Sequence, residues 1–336
     1  MSGRTVLVTG ATGFFGRHLV PQLLARGHRL RVVARRDIAK AEGLEVVQVG
    51  DIMQAIDWPR YLEGVDAVVH LAALAHATSI IREAEYDRLN RQLTARLAKA
   101  TSATDARFVF MSSIAAQSGP SSNVVLTEDA PASPTTAYGR SKLRAEQEVA
   151  AATSRYVILR PTLTYGPGVI GNMGRIAQLA THPVPPPFGM MHNRRSLLSV
   201  ENMCDAVEFA LSSQAALSQV FLVSDPRPVT MAEIIAFLRQ GAGRSGGGVP
   251  VPPMLFSNAL RLLGRGELWE KIGGNLVVSV AKLEGLGFRW RINTCEGLRA
   301  LGAVYAGKAS RDVAATAPNR PATTSAAQPP KTKSLA

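Results

Sequence analysis

The sequence predicts an α/β protein built on a doubly wound parallel sheet of about seven strands, with a smaller, mostly helical C-terminal lobe. Three observations predict it. Short apolar, β-branched runs alternate with stretches of helical periodicity over residues 5–223, the pattern of buried parallel strands joined by crossover helices. The first run ends in a glycine-rich turn that opens directly into a helix. A chain of 336 residues that is 46% hydrophobic can bury a large core, in one large domain or two smaller ones.

Thr5–Thr9 is the first strand, followed by Gly10-Ala11-Thr12-Gly13-Phe14-Phe15-Gly16 and then by Leu19, Val20, Leu23 and Leu24 at helical spacing up to Gly27. Strand, turn and helix in that order make a phosphate site, because glycines let the backbone approach a pyrophosphate and the helix start offers unpaired N–H donors. Gly10, Thr12, Gly13, Phe14, Phe15 and Gly16 are therefore candidate cofactor-binding residues of a Rossmann-like sheet. The glycines stand three apart, whereas the usual dinucleotide fingerprint places its first two glycines one residue apart.

The second strand, Leu30 to Ala34, ends in Arg35-Arg36, where an NAD-preferring site usually carries a carboxylate. Arginine pairs with a 2′-phosphate bidentately, which favours NADP(H); Asp37 just beyond keeps NAD(H) open. Glu45 to Val49 is the third strand. It leads to Asp51, placed to accept from an adenine amino group, with Ile52 beside it. Val65 to Leu71 is the fourth, and the small residues of Leu71-Ala72-Ala73 let backbone lie close to a cofactor. His70, at the end of that apolar strand, reads as a packing residue. A polar helix around Ala84 to Lys99 carries Asn90, another cofactor candidate, and Phe108 to Met111 is the fifth strand, ending in Ser112-Ser113.

Thr136-Ala137-Tyr138-Gly139-Arg140-Ser141-Lys142 places a phenol and an ammonium four residues apart, on one face of a helix. An ammonium beside a phenol favours the phenolate and brings a proton-transfer group toward working pH. With Ser113 at a strand C-terminus, the set reads as Ser113 orienting a substrate oxygen, Tyr138 exchanging its proton, and Lys142 holding the tyrosine's ionisation and a cofactor ribose. Tyr138 and Lys142 thus count as both catalytic and cofactor-binding, and Ser113 as catalytic and substrate-binding.

Tyr156 to Arg160 is the sixth strand, leading into Pro161, a further cofactor candidate, and Gly166 to Gly189 reads as irregular, rich in Pro and Gly. A helix passes through Asp205-Ala206-Val207, Val220 to Val223 is the seventh strand, and Thr230 to Leu238 returns to helix. From Pro250 to Tyr305 the pattern is helical, with Leu255, Ala259, Leu262 and Leu263 apolar and Arg261, Arg265 and Lys271 between them. The core of a small lobe is the preferred reading there; a membrane-surface helix is the alternative, so weak peripheral membrane contact stays open. These elements group as a dinucleotide-binding domain over 1–165 plus 195–223, a substrate-binding lobe over 166–194 plus 224–305, and a disordered basic tail over 306–336, too poor in large apolar residues to offset its ordering entropy.

Composition narrows the function. The formal charge of +13 comes from scattered basic residues without zinc-finger spacing or an aromatic-basic RNA signature, so nucleic acid is not an expected partner. No apolar run is long enough to span a bilayer and no secretory signal opens the chain, which makes cytoplasmic residence the expectation. Cys204 and Cys295 alone support neither a disulfide framework nor a cysteine-rich metal site, and no metal is expected.

Taken jointly, Thr9-Gly10-x-x-Gly13-x-x-Gly16, Asp51, His70-Leu71-Ala72-Ala73, Ser112-Ser113, Tyr138-Gly139-Arg140-Ser141-Lys142 and Arg160-Pro161 through Tyr165-Gly166-Pro167 resemble the extended short-chain dehydrogenase/reductases that act on nucleotide sugars, over residues 4–305. The resemblance implies a nucleotide-diphosphate sugar, UDP-linked, as substrate, with Asn172 near the sugar or diphosphate and Arg195 pairing with the diphosphate. It also implies a homodimer. Dehydratases of this family carry an Asp-Glu pair after the active-site serine or threonine; Ile114 and Ala115 stand here, which disfavours dehydration. Two reactions remain: reduction of the C4 ketone of a UDP-4-keto-6-deoxy-hexosamine of the N-acetylquinovosamine type, for surface polysaccharide synthesis, and 4-epimerisation of a UDP-sugar. Ala34-Arg35-Arg36 favours the NADPH-consuming reductase, and the epimerase is the alternative. A catalytically silent NADP-binding regulator is a third reading, against which the intact Ser113, Tyr138 and Lys142 argue.

Overall fold

The computed structural model describes residues 3–36, 38–53, 56–75, 82–262, 264 and 266–316. Seven strands form one parallel sheet: β1 (Thr5–Thr9), β2 (Arg29–Ala34), β3 (Leu44–Gln48), β4 (Ala67–His70), β5 (Arg107–Met111), β6 (Tyr156–Pro161) and, after three shorter strands, β10 (Gln219–Val223). Their order is β10-β6-β5-β4-β1-β2-β3, so successive crossovers run outward in both directions from β1 and β4. All seven strands expected from the sequence are in this sheet, with ends shifted by one or two residues. Between β6 and β10 lie β7 (Leu163–Tyr165), β8 (Arg194–Arg195) and β9 (Leu197–Ser199), and β11 (Val229–Thr230) follows; β7 pairs in parallel with β9, and β8 pairs antiparallel with β11.

Alternation along the strands divides the core. Val6 and Val8 of β1 face one way, against α1 (Phe14–Ala25), whereas Leu7 faces the other, against α2 (Trp58–Leu62). The short α3 (Glu83–Tyr86) precedes α4 (Leu93–Thr101) and α5 (Ala137–Ala152), which join α2 on that second face through Leu93, Leu97, Ala145 and Val149. α6 (Gly171–Thr181) belongs to the C-terminal lobe, and α7 (Val200–Ser212) lies with α1. Helices on both faces leave the strands water-free, which is why each reads as a near-continuous apolar run.

The lobe core is built from α6, α8 (Met231–Gly241) and α12 (Thr294–Thr316), through Met173, Ala177, Ile234, Leu238, Leu298 and Leu301. α9 (Pro253–Leu262), α10 (Gly266–Gly273) and α11 (Ala281–Gly285) complete the order. α8 starts with a capping box: the Glu233 N–H donates to Thr230 Oγ1 at 3.1 Å, and the Thr230 N–H donates to Glu233 Oε2 at 2.8 Å.

Three local readings are corrected. The stretch expected to be irregular from Gly166 to Gly189 contains α6. Its glycine 174 is a packing device, since a Cβ there would stand 2.8 Å from the Val169 carbonyl oxygen and 3.2 Å from the Tyr305 hydroxyl, so tertiary packing overrides the poor helix propensity. The single helix expected over Ala84 to Lys99 is interrupted by a π-helical turn, Asp87–Gln92, which carries Asn90. The tail expected from residue 306 is helical in its first part, because α12 continues to Thr316; residues 317–336 lie outside the described residues, as do Asp37, Leu263 and Arg265.

Candidate active site

β1 and β4 are neighbours whose following crossovers leave in opposite directions, and ligands of open α/β sheets bind at the carboxyl ends of such a pair. Gly10 follows β1 with φ +76°, and a Cβ there would lie 2.7 Å from the Ala72 nitrogen, so glycine alone lets the turn lie against the segment after β4. Gly16 is equally confined, its Cβ position 2.4 Å from Ala11. Gly13 caps α1 without any side-chain hydrogen bond, and no carboxylate occupies the first turn. The donors at this helix start are thus open to an anion, and the cradle fits a dinucleotide pyrophosphate.

The segment Leu71–Ala73 is held from below. The Ala72 N–H donates to Thr9 Oγ1 (3.3 Å), Thr9 donates to His70 Nδ1 (2.7 Å), and His70 Nε2–H reaches Thr94 Oγ1 (3.0 Å), which donates to the Asn90 carbonyl (2.5 Å). His70 is fully buried and neutral, its pKa driven down to about 3 by burial and then by the Lys142 charge, as befits a packing histidine. Asn90 does the same work one residue further on. Its Oδ1 accepts from the Leu74 N–H at 2.8 Å, and its amide donates to the Leu74 carbonyl at 3.1 Å and to Ser141 Oγ at 3.0 Å. With no exposure and both donor hydrogens engaged, Asn90 clamps the segment to α5, in place of the direct cofactor contact expected from the sequence.

Arg35 and Arg36 follow β2, exposed and without an ion pair among the described residues. Asp51 is exposed, accepts from the Met53 N–H at 2.9 Å, and lies 3.9 Å from Arg88, while Ile52 packs toward the α2 and α4 side. Pro161 ends β6, and the hydroxyl of Thr162 next to it is buried without a hydrogen-bond partner among the described residues.

The structure brings Ser113 and Tyr138 together. Ser113 caps the short 3₁₀ turn Ile114–Ala116, accepting from the Ala115 N–H at 3.1 Å, which leaves its own hydroxyl proton to donate. That hydroxyl lies near enough to the Tyr138 phenol to oppose the effect of burial on it. α5 starts at Thr136, whose side chain accepts from the Gly139 N–H at 3.0 Å, so Tyr138 is presented from the first turn. A Cβ on Gly139 would stand 2.1 Å from the Ala115 carbonyl oxygen; the missing side chain therefore sets how closely the Tyr138 helix approaches the Ser113 turn. The Tyr138 ring keeps partial exposure while its hydroxyl lies deep, and Tyr86 meets it edge to face at 6.0 Å. Burial pushes the phenol up to about 12, Ser113 opposes this, and Tyr86 adds to it.

Lys142 stands one helical turn after Tyr138. It is 2% exposed, its ammonium donates to the Met111 carbonyl at 2.6 Å and stands 4.4 Å from the centre of the Phe110 ring. Burial lowers it to about 7, with Glu146 partly restoring it. The phenol is thus raised by burial and Tyr86 and lowered by Ser113.

Sequence reading missed the network behind this pair. Glu146, one helical turn past Lys142, accepts from Ser112 Oγ and from Arg160 Nε (2.9 Å) and Nη2 (2.5 Å); Arg160 Nη1 donates to Gln117 Oε1 at 3.0 Å. Gln117 in turn donates to the carbonyls of Thr127 and Ala130. The ion pair is almost completely buried and joins α5, β6, the residue before Ser113 and the loop after the 3₁₀ turn. Only the i, i+4 spacing of Lys142 and Glu146 hinted at it.

Of the two substrate candidates, Asn172 is exposed in the first turn of α6. Arg195 is 8% exposed, donates to the Gly274 carbonyl at 2.9 Å and the Pro120 carbonyl at 3.2 Å, and faces no carboxylate among the described residues. An enclosed guanidinium with only carbonyl partners retains its charge for an anionic ligand, and so fits a diphosphate. Ile114 is buried and Ala115 half-buried, so no carboxylate stands directly after Ser113. No group of three or more His, Cys, Asp or Glu side chains suited to a metal ion occurs among the described residues.

Residues 6–223 match the family model described as "NAD dependent epimerase/dehydratase family". A UDP-glucose 4-epimerase of Vibrio cholerae is 35% identical over 301 residues, covering 85% of this chain and 90% of that protein. A ceramide reductase of Caulobacter vibrioides is 34% identical over 200 residues, covering 59% of this chain and 57% of that protein. Among solved structures, the NAD complex of UDP-glucuronic acid 4-epimerase from Bacillus cereus superposes with a TM-score of 0.72 at 19% identity, covering 89% and 98% of the two chains, which establishes the shared fold.

Proposed function

Because this chain belongs to the NAD dependent epimerase/dehydratase family, we propose that it interconverts UDP-linked hexoses at C4, as a UDP-sugar 4-epimerase. The observation that carries the reading is the Ser113–Tyr138 pair at the carboxyl rim of the sheet with Ile114 and Ala115 after it: it can move a proton at a sugar hydroxyl and lacks the adjoining acid and base that eliminate water. Likeness along nearly the whole length to the Vibrio cholerae protein supports epimerisation over one-way reduction.

A bound nicotinamide dinucleotide would take the C4 hydride and return it. The turn Gly10–Gly16 and the start of α1 would hold its pyrophosphate, beside Leu71–Ala73, which Thr9, His70 and Asn90 fix. Ser113 orients the 4-oxygen of the sugar, and Tyr138, entering the step as the phenolate that the positive charge of an oxidised nicotinamide and the Lys142 ammonium would favour, accepts the 4-hydroxyl proton as the ketone forms and returns it as the alcohol re-forms. Arg195 pairs with the UDP diphosphate, with Asn172 beside the sugar.

Exposed Arg35 and Arg36 favour a second reading, reduction of a C4 ketone with NADPH as a consumed substrate. One experiment separates the two: the purified protein is denatured, released nucleotide is identified by mass spectrometry, and UDP-glucose and UDP-N-acetylglucosamine are incubated with NAD. Near-stoichiometric NAD with formation of the C4 epimer supports the epimerase. An empty protein that binds NADPH well over NADH and forms no epimer overturns it in favour of the reductase.

A further inference from the structure

The C-terminal lobe carries an apolar surface that the active site does not use. α9 buries Ser257 and Leu260 and packs Phe256 against Phe188 with ring centres 5.3 Å apart. Its opposite face, at the i, i+1, i+4, i+7 and i+8 positions Met254, Leu255, Asn258, Arg261 and Leu262, points to solvent. Met254 is 72% exposed, Leu255 61% and Leu262 88%. Val184 and Val249 are also exposed, in loops that meet beside Phe188, against which α9 packs: the Val249 N–H donates to the Pro186 carbonyl at 2.8 Å and the Gly189 N–H donates to the Val249 carbonyl at 2.9 Å.

Charge says what covers this face. The outer face of α9, Met254, Leu255, Asn258, Arg261 and Leu262, carries one guanidinium and no carboxylate, on a chain with a formal charge of +13. Exposed leucine and methionine beside an arginine, on a helix face without a carboxylate of its own, suit a partner that is apolar within and anionic at its surface.

We propose that the outer face of α9, with the Val184 and Val249 loops, docks this protein peripherally on an anionic lipid bilayer. The side chains of Met254, Leu255 and Leu262 enter the headgroup boundary, and Arg261 pairs with lipid phosphates. A catalyst held this way delivers its product next to a membrane.

The test is flotation of the full chain with vesicles of phosphatidylethanolamine and phosphatidylglycerol, against vesicles of phosphatidylcholine alone. Binding to the anionic vesicles, weakened by salt and reduced at least about tenfold in Leu255→Glu/Leu262→Glu with Tm unchanged, is the expected result. Arg261→Glu should lower binding to anionic vesicles specifically. Two outcomes overturn the proposal: undiminished vesicle binding by the double variant, which places the contact elsewhere, or no vesicle binding together with a concentration-dependent oligomer that the double variant abolishes, which makes a second copy of the chain the occupant.

Discussion

Arg160→Met isolates the buried ion pair behind the catalytic turn. The guanidinium makes three contacts to the Glu146 carboxylate and one to Gln117, with side-chain exposures of 7% and 5% for the pair. Removing it leaves an enclosed carboxylate whose remaining side-chain donor is Ser112. Breaking a buried pair on one side typically costs about 3–5 kcal/mol, because desolvation of the survivor is no longer compensated. With an unfolding entropy of roughly 2.1 cal/mol/K per residue over 336 residues, that is a fall in Tm of roughly 4–7 °C. Glu146→Gln placed in the Arg160→Met background removes the stranded charge and should recover at least half of the loss. Thermal and urea denaturation of the wild type, the single and the double variant read this directly. A single variant within about 1 °C of wild type, or a double variant no better than the single, would refute the view that the pair is energetically closed and that its members are stable only together.

Three further outcomes are expected. Tyr138→Phe should lower turnover by about 10²–10⁴-fold while nucleotide binding by calorimetry stays intact; unchanged turnover removes Tyr138 from the chemistry. Lys142, lowered by burial to about 7 from 10.5, binds fewer protons folded than unfolded across that interval, so stability rises with pH from about 7 to about 10. Urea titrations should show this rise flattened in Lys142→Met, and parallel curves would mean the ammonium is not desolvated. Gly139→Ala forces a Cβ onto the Ala115 carbonyl and should cost about 1–3 kcal/mol, with kcat falling more than KM rises as Tyr138 and Ser113 move apart; a full-rate variant would show that their spacing is not set there.

What was legible in the sequence was what local chemistry determines. Seven apolar runs bounded by turn residues gave seven strands of one sheet, and the glycine turn after β1 is where the fold needs a positive φ and close backbone contact. Ser113 and Tyr138 could be read because a strand end and a helix start place them at one rim. For Lys142 helical spacing gives the face but not the depth, so its burial and its bond to the Met111 carbonyl could not be read. Asn90 misled for a related reason: a π-helical turn carries it to where Leu74 and Ser141 use up its amide. The Ser112–Glu146–Arg160–Gln117 network joins residues far apart in sequence, and α6 helix owes its form to neighbours that periodicity does not see.

Arg195 has a thermodynamic consequence. A positive charge walled in by carbonyls is a standing cost of the empty protein, and a diphosphate would relieve it. A ligand that binds only the folded form adds about 2.7 kcal/mol at a hundredfold excess over its dissociation constant. The melting temperature of this protein would thus gauge how full the Arg195 site is, and the supply of a diphosphate ligand would govern the protein's lifetime as well as its occupancy.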